Sequence, residues 1–405
     1  MTQEIFGDRL LVVDDEPAFG ATVKRVAQGC GFEVVVTETA DAFINAARLW
    51  HPTVIMLDLK IPGSDGVELL RSLAADKCSA HIVLSSGADA KVLESAMQLG
   101  RERGLRMGEG LQKPIRAESL RERLTGFKRL PKLQLSSDLA RAISSEQLFL
   151  EYQPKLDCRL SRITGVEALV RWRHPQHGII PPDQFIGLAE ENGLIERLTD
   201  WVVGTAARQA ARWHTERGLT LNVAVNVSAR DVEHLDFPDR LERRCREAGL
   251  DPEYMTVELT ETCAMREAMQ MMDVLTRLRL KGFKLSIDDF ATGYSSLVQL
   301  QKMPFSELKI DKSFVMQMTA NRGCRVIVEI LVDLARKLGL SSVAEGVEDQ
   351  AALDSLIAMG CDMAQGYYVS RPIGADRITE FAADSAAPEL RQSMGSPARP
   401  KELAA

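Results

Sequence analysis

Along the first 125 residues, short runs of consecutive apolar residues alternate with longer amphipathic stretches. Arg9-Leu10-Leu11-Val12-Val13, residues 31–36, Thr53-Val54-Ile55-Met56-Leu57 and His81-Ile82-Val83-Leu84-Ser85 read as buried strands, and a weaker fifth ends at Lys113-Pro114. Between them the pattern predicts helices. One begins at Pro17, a residue suited to a first helical turn; others cover residues 40–50 and about 89–99. Continuous apolar strands separated by helices predict a doubly wound parallel α/β sheet, a (βα)5 domain over residues 1–125. The ligands of such a sheet collect at the carboxyl ends of its strands.

Residues 126–137 mix Gly, Pro, Lys and Ser and read as a linker. A helix is expected from residues 137–138 to 144, with Asp138 placed to favour its N-terminus. From there the pattern changes to short strands in which polar and apolar residues alternate. Val166-Glu167-Ala168-Leu169-Val170 sets Glu167 and Leu169 on one face, and in residues 221–228 Asn222, Ala224 and Asn226 oppose three valines. Thr256-Val257-Glu258-Leu259, Leu285-Ser286-Ile287-Asp288 and Leu308-Lys309-Ile310-Asp311 repeat the alternation. Polar positions recur at 20 to 36 residues from Asn226 through Glu258, Asp288, Lys309 and Glu345 to Gln365, a spacing that fits βα units. Residues 138–385 are therefore expected to form a (β/α)8 TIM-like barrel, with the polar positions facing its axis. The tail over residues 386–405 has no apolar period and is expected to be disordered.

The composition is that of a globular protein, 45% hydrophobic and 26% charged over 405 residues. A net charge of −7 disfavours sequence-blind binding to a nucleic-acid polymer. The seven cysteines form no C-x-x-C pair, so neither zinc nor a disulfide framework is suggested. No run of about 18 apolar residues and no basic-then-apolar leader occurs, so no membrane association and a cytoplasmic location are expected.

Chemistry gathers at strand ends. In the first domain these ends carry Asp14, Asp15, Asp58, Ser86 and Lys113. Acids with a lysine and a hydroxyl can bind Mg²⁺ and accept a phosphoryl group on a carboxylate. The arrangement resembles the receiver domain of two-component response regulators. The resemblance implies Asp58 as phosphoacceptor, Asp14 and Asp15 beside one Mg²⁺, Ser86 and Lys113 as the switch groups, and a sensor histidine kinase as partner. Receivers usually carry an aromatic residue three positions before the lysine; here that position is Gly110.

In the second domain, the stretch Ser286-Ile287-Asp288-Asp289-Phe290-Ala291-Thr292-Gly293-Tyr294-Ser295-Ser296-Leu297 places adjacent carboxylates at a strand end, before a loop of small and hydroxyl residues. Alone it can also be read as an exposed acidic turn, the lesser reading beside a metal site. With Glu167, Asn226, Glu258 and Glu345 at neighbouring strand ends, burial without cations would raise the carboxyl pKa values and destabilise the fold. Divalent metal ions resolve this.

Glu167-Ala168-Leu169-Val170-Arg171-Trp172, preceded by Tyr152-Gln153-Pro154-Lys155, opens a further motif series. Asn226-Val227-Ser228, Glu258-Leu259-Thr260-Glu261, Asp288-Asp289-Phe290, Lys309-Ile310-Asp311, Glu345-Gly346-Val347-Glu348 and Gln365-Gly366-Tyr367-Tyr368 follow in order. Over residues 145–373 the chain resembles the EAL-domain phosphodiesterases that hydrolyse cyclic di-GMP to linear pGpG.

The resemblance implies two metals, Mg²⁺ or Mn²⁺, held by Glu167, Asn226, Glu258, Asp288, Asp289 and Glu345. Lys309 and Glu345 are implied as catalytic, with Lys309 orienting the attacking water, deprotonating it or neutralising charge; which of these is open. Gln153, Leu169, Arg171 and Gln365 are implied substrate contacts, Glu261 a loop anchor, and a dimer the assembly. Glu348 is equally a site residue or the cap of the next helix. Where the family commonly has Gly, this chain has Ala291, which matters if the position needs a positive φ.

The rival functions are a non-catalytic cyclic di-GMP receptor and a regulator acting through protein contacts alone. Trp201, Trp213 and Met269, Met271 and Met272 read as packing residues, and His174 and His177 as turn residues rather than metal ligands.

Overall fold

The computed structural model describes residues 8–87, 90–108, 110–126, 132–264, 268–291 and 297–385. The chain divides into two compact units, Met1–Lys132 and Leu133–Ala405.

In the first unit, five strand positions lie in parallel. Their order is Glu33–Thr37, Arg9–Val13, Val54–Asp58, His81–Ser86, then an edge made of two short pieces, Arg106–Met107 and Leu111–Gln112. Alternation within each strand divides its side chains between two cores. Leu11, Val13, Ile55 and Leu57 pack with Phe43, Leu69, Leu73 and Leu93 from the helices Ala40–Trp50, Gly66–Ala75 and Ala90–Glu102. Leu10, Val12, Val54 and Met56 pack with Val23, Val26, Leu120 and Leu124 from Pro17–Gly29 and Ala117–Gly126. Both faces are covered, which is why the strands are continuously apolar.

The second unit contains an eight-stranded barrel. Its strands run Leu148–Asp157, Arg162–His174, Asn222–Asn226, Met255–Thr260, Lys284–Phe290, Glu307–Ile310, Ser341–Ala344 and Met363–Ala364, in that order around the ring. Seven are parallel, but the first is antiparallel to both the second and the eighth. This departs from a uniform (β/α)8 repeat. The cause is local: residues 158–161 turn too tightly to hold a helical crossover, which needs a dozen or more residues. Asp157 Oδ1 fixes the turn by accepting the N–H groups of Arg159 and Leu160 at 3.0 and 2.7 Å.

The helix entering this unit runs Lys132–Ala142, earlier than the composition suggested, and with the helix ending at Gly126 it occupies much of the expected linker. Asp138 therefore lies inside the helix and caps nothing. Its carboxylate instead meets Arg141 at 3.2 Å and His174 Nε2 at 3.2 Å, while His174 Nδ1 accepts the Gln176 N–H. His174 is thus a packed and satisfied residue at the end of a strand rather than in a turn. Trp213 is fully buried, with Tyr152 edge-on to its ring at 4.9 Å, and Met271 is buried. The side chain of Met269, the loop over 292–296 and the tail from Ala386 lie outside the described residues. Among the described residues, no helix is long and apolar enough to cross a membrane.

One close approach fixes the eighth strand against the seventh. Gln365 O accepts the Val347 N–H at 3.1 Å, and Val347 O accepts the Tyr368 N–H at 2.9 Å. A Cβ on Gly366, between them, would lie 2.2 Å from both Val347 N and O. Backbone cannot yield as a side chain does, so Gly366→Ala is expected to cost about 1–3 kcal/mol, read as a lower urea midpoint at unchanged m-value.

Candidate active site

Strict alternation would send Asp288 toward the barrel axis and Asp289 away from it. The fifth barrel strand avoids this with a bulge. Ile287 pairs with Leu308 and Phe290 with Ile310, so Asp288 and Asp289 together oppose Lys309 alone. Asp289 takes φ +55, the left-handed conformation that a bulge of this kind uses. Both carboxylates thereby reach one side. Ligand oxygens of Asp288, Asp289 and Glu345 lie within 4.8 Å of one another.

Two residues on, Ala291 has φ +73, so the position does require the left-handed region. That conformation costs a non-glycine residue about 1–2 kcal/mol. The Ala291 N–H is held by Glu261 Oε2 at 2.9 Å, and Glu261 is buried.

Lys309, 1% exposed, opposes the bulge from the sixth strand. Its Nζ lies 2.7 Å from Glu345, 3.0 Å from Glu258, 3.1 Å from Asp288 and 3.7 Å from Glu167. Burial disfavours its charge, but these carboxylates outweigh burial and carry its pKa well above the lysine range. Glu167 also accepts hydrogen bonds from Asn226 Nδ2 at 2.7 Å and Gln365 Nε2 at 2.6 Å. Gln365 Nε2 donates to Gln153 Oε1 at 3.0 Å, and Gln153 Nε2 to the Ser370 carbonyl at 3.2 Å. Leu169 is half-buried one pleat beyond Glu167, and the Arg171 guanidinium is held by Glu151 at 2.9 Å and the Val170 carbonyl at 3.1 Å.

Three further groups meet this site: Lys155 and Asp311, which lie in the motif series without an assigned role, and Glu307, which no motif contained. Lys155, 3% exposed, bonds Glu258 at 2.7 Å and Glu307 at 3.1 Å, a second buried ammonium beneath Lys309. Burial would raise Glu258, but Lys155 and Lys309 outweigh it and hold Glu258 at about 2. Asp311 caps the helix Lys312–Val315 and shares a hydrogen bond with Asp289. The signal for both Lys155 and Glu307 was parity: Lys155 lies two residues beyond Gln153 and Glu307 two before Lys309, each pair on one strand face. Glu348 is exposed and is not the helix cap: Asp349 accepts the Ala352 N–H at 2.7 Å.

Asp289 and Glu345 are poorly compensated. Burial, then the charges of Asp288 and Asp311, push Asp289 up to about 6. Burial pushes Glu345 up to about 8, with Lys309 opposing and Asp288 and Glu167 adding. Hard oxygen donors that lack positive charge fit a divalent cation such as Mg²⁺ or Mn²⁺.

In the first unit, Lys113 Nζ bridges the buried Asp58 and Asp14 at 2.6 and 2.9 Å and reaches Glu16 at 3.2 Å. Asp15 is exposed; with Asp14 and Glu16 it forms a second set of carboxylates within 4.8 Å, and Glu16 is a member the sequence reading missed. Burial raises Asp14 above the usual range, with the Lys113 hydrogen bond opposing. Ser86 is fully buried at the end of its strand. A Cβ at Gly110 would lie 2.8 Å from Leu93 Cδ2 and 3.0 Å from Met97 Sδ, so these side chains fill the space an aromatic residue would need.

The EAL domain family model matches residues 136–372, and that of the response regulator receiver domain matches residues 10–125. The chain is similar to the bifunctional diguanylate cyclase/cyclic di-GMP phosphodiesterase MucR of Pseudomonas aeruginosa, 42% identical over 251 residues, which are 62% of this chain and 37% of MucR. An uncharacterized signaling protein of Caulobacter vibrioides is 33% identical over 374 residues, 92% of this chain and 44% of that protein. The chain thus spans less than half the length of these curated relatives. The solved PaMucR phosphodiesterase in its c-di-GMP complex superposes with a TM-score of 0.58 at 42% identity, covering 60% of this chain and 99% of that one.

A cation entering between Asp288, Asp289 and Glu345 must displace the protons these carboxyls hold below about 6 and about 8. Mn²⁺ affinity is therefore expected to rise with pH, by roughly tenfold per unit for each proton displaced, and to level off above the Glu345 value. Calorimetric titration of the wild type and Glu345→Gln checks this: the variant should lose the upper part of the rise.

Proposed function

With the matched segment covering well over half of its residues, the chain belongs to the EAL-domain family and carries a response regulator receiver domain, and from that premise we propose that it hydrolyses cyclic di-GMP to linear pGpG under receiver control. The observation that carries the reading is the bulged Asp288-Asp289 pair within ligating distance of Glu345, beside the Lys309 ammonium.

In this reading Glu167, Asn226, Glu258 and Asp288 hold one divalent cation, and Asp288, Asp289 and Glu345 the other. Charge supports more than one cation: among the described residues, Glu167, Glu258, Glu307, Asp288, Asp289, Glu345 and Asp311 outnumber the two ammonium groups of Lys155 and Lys309. Two such cations, when bound, would supply activation of a water and Lewis-acid stabilisation of the phosphodiester.

The protein's own groups do the rest. Lys309, kept as an ammonium by four carboxylates, offsets negative charge that develops on the phosphate and orients the attacking water; its raised pKa disfavours service as a base. Gln365, anchored on Glu167 and Gln153, holds these two side chains in place beside Lys309. Arg171, held by Glu151, offers a fork suited to a phosphate oxygen, with Leu169 beside it as an apolar contact. Glu261 holds the backbone of Ala291 and so fixes where the following loop begins.

For the receiver, Asp58 would accept a phosphoryl group from a sensor histidine kinase, with Mg²⁺ held by Asp14, Asp15 and Glu16. Lys113, already bonded to Asp58, and Ser86 would meet the phosphoryl oxygens. With Leu93 and Met97 filling the space beside Gly110, the response passes through the helix Ala90–Glu102 rather than through an aromatic side chain. Dimerisation belongs to the same reading.

Chromatography of cyclic di-GMP incubated with the purified full chain and Mn²⁺ or Mg²⁺ is expected to show pGpG, abolished by chelator. Glu167→Ala is expected to lower kcat by about 10³-fold or more, measured at a temperature where circular dichroism shows the variant still folded. Nucleotide binding without product under either metal would instead assign the chain as a receptor. Beryllofluoride is expected to change the turnover of the wild type, and Asp58→Asn to keep basal turnover while losing that response; an unchanged response would remove Asp58 from the control.

A further inference from the structure

Away from the strand ends, the outer shell of the barrel unit holds an open cavity of about 300 Å³. Its wall is one stripe of the longest described helix, Ile195–Arg217: Arg197, Asp200, Trp201, Gly204 and Arg208, closed by Ile143 and by Arg244 of the helix Phe237–Ala248. The spacing i, i+3, i+4, i+7, i+11 puts these five residues on a single face.

The charges here are unevenly matched. Arg244 is paired, donating to Asp200 Oδ2 at 3.1 Å and to Glu247 at 3.2 Å. Asp200 has Arg240 behind it as well, at 3.7 Å. Arg197 and Arg208 are different. Among the described residues they bond hydroxyls only, Ser144 at 3.2 Å and Thr205 at 3.0 Å, so two guanidinium charges face the cavity without a carboxylate partner. Trp201 adds a half-buried indole wall, unlike Trp172 and Trp213, which are core residues. Gly204 sits in the middle of the helix near Ala206, Ala207, Ala210 and Ala211, where glycine costs about 1 kcal/mol relative to alanine. A Cβ there would come within 3.3 Å of the Arg208 Nη1, so the guanidinium lies close over the glycine at the cavity floor.

We propose that this cavity is a mononucleotide site, with a nucleobase against Trp201 and a 5′-phosphate held by Arg197 and Arg208. Guanidinium forks match phosphate oxygens, and an indole face accepts a planar base. The volume is at the small end of ligand pockets and admits one nucleotide but not a cyclic dinucleotide. The site is therefore distinct in both position and ligand from the barrel mouth.

The test uses the full chain carrying Asp288→Asn, in chelator, so that neither turnover nor the barrel's metal ligands contribute. GMP, AMP, guanosine and inorganic phosphate are titrated by calorimetry and by tryptophan emission. The two nucleotides are expected to bind and quench emission, with Trp201→Phe removing the quench. Arg197→Ala with Arg208→Ala should weaken binding by about tenfold or more. Gly204→Leu should block binding by filling the floor. The arginine pair provides the control against misfolding, since both side chains are exposed and the melting temperature should hold. Absence of nucleotide binding at millimolar concentration overturns the proposal. So does binding that survives both the arginine and the glycine variants, and so does phosphate alone binding as tightly as GMP.

Discussion

The barrel depends on keeping a crowd of buried carboxylates in charge balance. Lys309 touches Glu167, Glu258, Asp288 and Glu345, while Lys155 ties Glu258 to Glu307 below it. Each ammonium is buried and each would be unfavourable alone. Together with the acids they form a network in which loss of one member leaves a buried, unpaired charge, typically at about 3–5 kcal/mol. The network is graded. Glu258, between two lysines, stays ionised far into acid, whereas Glu345 and Asp289, with less compensation, tend to keep a proton. The same gradient that leaves them short of positive charge makes them the donors to which a divalent cation is best suited.

Backbone strain supports this electrostatic arrangement. The bulge at Asp288-Asp289 brings consecutive side chains to one side, at the cost of a left-handed Asp289, and Ala291 follows in a conformation that glycine would take more easily. Such strain persists only where the surroundings over-determine it. Here they do: Asp288 Oδ1 accepts the Asp289 N–H at 2.9 Å, and Glu261 holds the Ala291 N–H. A buried glutamate that binds no part of the carboxylate cluster thus governs the geometry of the residues that do.

The receiver solves a smaller version of the same problem. Asp14 and Asp58 are buried at adjacent strand ends, and Lys113 from the sheet edge brings an ammonium that bridges them. Its Nζ also lies 4.4 Å from the centre of the Phe19 ring, a second contact that keeps the long side chain in place. Leu93 and Met97 pack over Gly110 and occupy the space beside it.

Much of this was legible in the order of residues. Apolar continuity gave the doubly wound sheet, since strands buried on both faces cannot alternate. Period-two alternation placed Glu167, Glu258 and Lys309 on the barrel axis, because side-chain direction in a strand is fixed by parity. The resemblance of the successive motifs to known families named the chemistry. Parity also marks where sequence reading ended. It could not put Asp288 and Asp289 on one side, because a bulge depends on the register with the neighbouring strand, nor turn the first strand against the others, because that follows from a tight turn and ring closure. Lys155 and Glu307 are 152 residues apart in the chain, and only folding around the barrel makes them partners. Local pattern determines which face a side chain takes; which distant charge it meets there is decided by closure of the sheet.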